Sequence, residues 1–119
     1  MILLFTGTPT PLFTLISNAK QTLEELRIVS FAIMQKMALH PWGQTEMTIS
    51  REFIDYILNR STETTKLGKE WKFMIIQTLV KAPNAENIIS SNIFDRLTRY
   101  LREGPFYMRN EAAVAFANA

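Results

Sequence analysis

Residues 22–41 read TLEELRIVSFAIMQKMALHP and residues 64–83 read TTKLGKEWKFMIIQTLVKAP, and laying one on the other decides the fold. At an offset of 42 residues Thr22 falls on Thr64, Phe31 on Phe73, Ile33 on Ile75, Gln35 on Gln77 and Pro41 on Pro83. Met34 falls on Ile76, Met37 on Leu79 and Ala38 on Val80. Upstream, Leu12 falls on Ile54, Leu15 on Ile57 and Ile16 on Leu58. Both stretches carry apolar residues in nearly every direction at 100° per residue, and a helix apolar all round must be covered on most sides. One helical hairpin cannot do that; stacked layers of helices can.

A period of 42 residues lies within the range of armadillo and HEAT repeats, about 40–47. The expected fold is therefore all-α, a superhelical solenoid fragment of about two and a half repeats. Each unit reads as a short helix, a loop, a long buried helix, a proline and a second short helix. The punctuation predicts helices over 11–17, 21–39, 41–47, 51–59 and 66–81, a short turn capped by Asn84, and a last helix capped by Ser91 or Asn92 and stopped before Gly104-Pro105. No stretch alternates with period two, so no strand is expected. Trp42 and Trp71 read as core. The repeat domain is expected over residues 1–109, with an alanine-rich flexible tail over 110–119. Two and a half units fall short of the three a stack needs. The N-terminal repeat face, after the apolar Met1 to Phe5, is then an exposed surface for a homodimer.

Composition narrows the function. The 119 residues carry a net charge of +2, with 13 basic residues scattered among 11 acidic ones. That is not the clustered basic stripe of a nucleic-acid binder, and no nucleic-acid partner is expected. No run of 18 apolar residues exists, so no membrane span is expected. Cysteine is absent, which removes thiolate catalysis and Cys-based zinc sites and fits a reducing compartment. No glycine-rich phosphate loop occurs, and no cofactor is expected.

Candidate chemistry is thin. His40 lacks an orienting partner and reads as a junction residue bonding the last carbonyls of its helix. Glu24-Glu25 point about 100° apart on a helix and complement its dipole. Asn59-Arg60-Ser61 matches a glycosylation sequon but reads as a helix end and loop. The chain is not expected to be an enzyme. What remains is a basic edge: Lys69 and Lys72, three apart on the long helix with Lys66 and Lys81, joined by Arg99 and Arg102 on the last helix. These four, Lys69, Lys72, Arg99 and Arg102, are the expected protein-binding residues.

Two stretches carry a resemblance. His40-Pro41-Trp42 leads into Phe53-Ile54-Asp55-Tyr56-Ile57-Leu58-Asn59-Arg60-Ser61, and the chain closes on Tyr100-Leu101-Arg102-Glu103-Gly104-Pro105-Phe106-Tyr107. Together they resemble the C-terminal region of the 26S proteasome non-ATPase regulatory subunit 5 family, over roughly residues 12–108. The resemblance implies an armadillo/HEAT-like solenoid several times longer than this chain, without catalytic residues. It implies a chaperone for assembly of the proteasome regulatory particle base. The implied partner is a proteasome base ATPase subunit, held through its C-terminal domain, and the implied location is the cytoplasm or also the nucleus. The basic edge is then expected to meet acidic groups of the ATPase. A generic helical-repeat adaptor with an unrelated partner and a nucleic-acid-binding helical domain stay open as alternatives.

Overall fold

The computed structural model describes residues 11–108, and these are all-helical without a strand. The expectations for the first residues, for the tail over 110–119 and for residue 109 lie outside the described residues. Seven α-helices follow in order: α1 Pro11–Ala19, α2 Glu24–Met37, α3 Pro41–Ile49, α4 Arg51–Leu58, α5 Lys66–Val80, α6 Ala85–Ile88 and α7 Ser91–Glu103. The 42-residue repeat is visible in them: α2 starts at Glu24 and α5 at Lys66, its image. α1, α4 and α7 form one row, each touching the next. α2 packs on α5, and α3 on α6. This is the stacked helical-repeat architecture read from the sequence.

Local chemistry sets the boundaries. Ser50 Oγ accepts from Phe53 N at 3.1 Å and caps α4; Thr65 Oγ1 accepts from Gly68 N at 3.1 Å and caps α5. Pro41 opens α3 at the first helical position behind an extended His40. Asn84 takes the left-handed conformation (φ 62°), which asparagine tolerates better than most residues, but makes no side-chain cap. The ends of α1 to α5 fall one or two residues from expectation, and two starts differ as well. α2 begins at Glu24 because Arg27 Nη1 holds the carbonyls of Gln21 and Thr22 at 3.3 and 2.9 Å, outside the helix. The residue flanking α7 is Ser90, one earlier than expected.

The core is formed by the repeat positions. Leu12, Leu15, Phe31, Met34, Met37, Ile54, Ile57, Ile76 and Leu79 are all buried. Coverage of the long helices is less complete than the all-round pattern implied. Ile75 on α5 is fully buried, while its image Ile33 on α2 is 44% exposed. The α5 face carrying Trp71, Ile75 and Thr78 looks toward α2, where Gln35 Nε2 donates to Thr78 Oγ1 at 3.4 Å. The equivalent face of α2, with Val29 and Ile33, has no helix of the described residues over it. Trp42 is also a correction: it is 60% exposed, and its ring stacks on His40 at 6.0 Å instead of entering the core. His40 binds through its backbone only, N–H to Met37 O at 3.1 Å. Trp71 is partly buried against the core, as expected.

Candidate functional site

The C-terminal ends of α1, α4 and α7 each expose carbonyls that the helix itself cannot pair. Side chains from neighbouring elements take them. At α1, Tyr56 OH donates to Ala19 O at 2.9 Å. At α4, the Lys72 ammonium donates to Tyr56 O at 2.9 Å, Asn59 O at 2.7 Å and the hydroxyl of Thr62, and lies 4.6 Å from the Tyr56 ring centre. At α7, Arg60 Nη1 donates to Gly104 O at 2.8 Å and Nη2 to Tyr100 O at 3.1 Å. Cations placed at helix C-termini also gain from the dipole.

Arg60 does more than cap. Its guanidinium sits over the Tyr100 ring at 3.8 Å and the Tyr107 ring at 5.1 Å, and pairs with Glu103 at 3.3 Å. Gly104 turns the chain here with φ 90°, a conformation only glycine adopts without strain. The two stretches that carried the family resemblance therefore meet in space: Arg60 from the first clasps Tyr100, Glu103, Gly104 and Tyr107 from the second.

Behind this clasp lies a buried ion pair. Arg27 Nε is 3.3 Å from Glu63 Oε1 and 3.2 Å from Oε2, the latter close but without hydrogen-bond alignment. The side chains are 12% and 1% exposed. Gly68 leaves the room: a Cβ there would stand 2.0 Å from Glu63 Oε1. Burial raises the Glu63 carboxyl above the usual range, opposed by Arg27 and Lys72. Burial pulls Lys72 down to about 7, opposed by the Glu63 carboxylate and reinforced by Arg60. The Tyr56 phenol is pushed up to about 12, again mainly by burial.

Between the segment after α4, the start of α5 and the end of α7 opens a groove of about 860 Å³. Arg60, Lys69, Arg99, Tyr100, Pro105 and Tyr107 line it, with Lys72 and Glu63 beneath. Arg60, Lys69 and Arg99 face two carboxylates, and both carboxylates are occupied: Glu63 by Arg27 from outside the lining, Glu103 by Arg60 and by Arg99 at 3.3 Å. The groove is thus a positively charged cleft with tyrosine walls.

Of the four residues expected from sequence, three come together here and Arg102 does not line the groove. Lys72 corrects the expected basic edge. It is 1% exposed, because its ammonium turns inward to the α4 carbonyls. Lys69 is half-buried; its backbone N–H donates to Thr65 O at 3.1 Å, and its ammonium makes no hydrogen bond or ion pair among the described residues. Arg60, Glu63 and the two tyrosines were not singled out by charge patterning. The signal for Arg60 and the tyrosines was the pair of motif stretches, which gave no hint that they touch; Glu63 lies in neither stretch. Among the described residues no group of acidic or histidine side chains could hold a metal, and no helix is long and apolar enough to cross a membrane.

The chain is similar to known proteins. A family model described as proteasome non-ATPase 26S subunit matches residues 7–119. The 26S proteasome non-ATPase regulatory subunit 5 of Bos taurus is 32% identical over 111 residues, 93% of this chain and 22% of that protein. The Homo sapiens protein of the same name is 31% identical over 111 residues, with the same coverage. That of Mus musculus is 32% identical over 108 residues, 91% of this chain and 21% of that protein. The chain spans about a fifth of the length of these curated relatives. No solved structure matches.

Proposed function

The chain belongs to the proteasome non-ATPase 26S subunit family, and from that premise we propose that it is a protein-binding scaffold acting as a proteasome assembly chaperone. Its partner is a base ATPase subunit, held through the C-terminal domain of that subunit while the regulatory particle is assembled, in the cytoplasm and also the nucleus. The observation that carries this reading is the groove between the segment after α4, the start of α5 and the end of α7: open, positively charged and walled by tyrosines. A helical stack offers a long surface for one large partner. Charged contacts set recognition and encounter rate more than raw affinity, which suits a chaperone that must release what it holds. In this reading Lys69 and Arg99 meet the partner, Arg102 contributes at the edge, and Lys72 shapes the groove from below. The uncovered α2 face with Val29 and Ile33 supports packing against a further helical unit or a second copy of the chain.

The test is capture of purified base ATPase subunits, and of their isolated C-terminal domains, on the immobilised chain. Selective retention of one ATPase supports the reading. Retention of none by this chain, and none by a protein carrying the full repeat array, overturns it.

A further inference from the structure

The repeat register adds what the groove alone does not give. Displaced by 42 residues, Arg27 of α2 falls on Lys69 of α5. Arg27 is satisfied by a buried carboxylate, Glu63, which comes from the segment following α4. One unit thus supplies the acid that the cation of the preceding unit needs. The segment following α7 stands in the same place one unit later. Its described residues read Gly104-Pro105-Phe106-Tyr107-Met108 and carry no carboxylate. Pro105, Tyr107 and Met108 line the same groove as Lys69. Glu103 lines it too, but is taken by Arg60 and Arg99. Among the described residues Lys69 is left without the partner its position holds one repeat earlier.

We infer that the groove docks an acidic segment of a partner protein, whose carboxylate stands against Lys69 as Glu63 stands against Arg27. The inference rests on the protein-binding reading above and deepens it. Arg99, with its side chain 73% exposed, supplies a second cation at the rim. Tyr107 and Met108 give apolar walls, so the docked segment pairs its acid with a leucine or an aromatic residue. Such walls exclude water and strengthen the ion pair. A nucleic-acid backbone fits less well, because it needs cations tracking successive phosphates and Glu103 interrupts the pair here.

The experiment is selection of a phage library of random decapeptides on the immobilised full chain and on its Lys69→Glu variant. Among the described residues the Lys69 side chain has no partner to lose, so the variant keeps its fold, and Lys69→Gln is carried in parallel with thermal melts of both. Selected peptides are expected to be enriched in Asp and Glu. Their binding is expected to fall at least tenfold on Lys69→Glu and to survive in Lys69→Arg. Absence of acidic enrichment, or equal binding to Lys69→Glu, overturns the inference. So does displacement of the peptides by an oligothymidylate probe at equal concentration, which marks a general polyanion site. The same variant separates this inference from the function it rests on. An ATPase captured equally by wild type and Lys69→Glu sinks the groove and keeps the chaperone. Acidic peptides lost with Lys69→Glu, with no ATPase captured, keep the groove and sink the chaperone.

Discussion

Arg27 and Lys69 occupy one position in two successive repeats, yet one is closed and the other open. Arg27 lies against a buried carboxylate, with the carbonyls of Gln21 and Thr22 completing its contacts. Lys69 faces a groove and touches no acid among the described residues. The difference is not in the helices that carry them, which start at equivalent residues. It lies in the segment the next unit supplies: Glu63 in one case, a Gly-Pro-aromatic turn in the other. A repeat position is structural where the neighbouring unit completes it and available to a partner where it does not.

The closed junction is where the largest loss is expected. Glu63→Ala leaves Arg27 buried and unpaired, and should lower the unfolding free energy by about 3 kcal/mol in urea titration. A loss below about 1 kcal/mol would mean that the pair is as dispensable as a surface bridge. Arg60→Ala comes next. It strips two carbonyl bonds and the tyrosine stacking from the end of α7, at about 2 kcal/mol. Hydrogen exchange should then speed up in the last turn of α7 before anywhere else. Gly68→Ala pushes on the Glu63 carboxylate and should cost about 1.5 kcal/mol in the same titration. In the Glu63→Ala background, where that carboxylate is gone, most of this cost should disappear.

A subtler contrast concerns pH. Lys72 is held near 7 in the folded chain and near its ordinary 10.5 unfolded. Between those values the unfolded chain binds a proton that the folded chain does not, so stability rises with pH. The slope from this one group is at most about 1.4 kcal/mol per pH unit. Lys72→Met should flatten the rise between pH 7.5 and 9.5, a window below the titration of Tyr56 near 12. Parallel pH curves for wild type and Lys72→Met would show instead that the three oxygens around the ammonium keep it charged.

The fold was legible because period and punctuation are local signals. The 42-residue offset, Pro41, Ser50 and Thr65 each act within a few residues of where they stand, and the helices follow them. The site was legible only in part. Charge patterning picked out Lys69 and Arg99, which line the groove, but could not separate Lys69 from Lys72. Three residues on a helix leave two side chains on nearly the same face, and which one turns inward depends on carbonyls of α4. The clasp of Arg60 on Tyr100 and Tyr107 joins residues at least 40 apart. Trp42 looked like core because it is large and apolar, yet it follows a helix junction where stacking on His40 leaves it half in water. The apolar face of α2 looked covered for the same reason: sequence shows what a helix could bury, not whether a neighbour is there.

The most direct test of the difference between the two junctions is a paired urea denaturation of Arg27→Gln and Lys69→Gln. One closed and one open position predict a loss of about 2–3 kcal/mol for Arg27→Gln and a change within about 0.5 kcal/mol for Lys69→Gln. Equal losses at the two sites would contradict it, because Lys69 would then be as tied into the fold as Arg27 and not free for a partner.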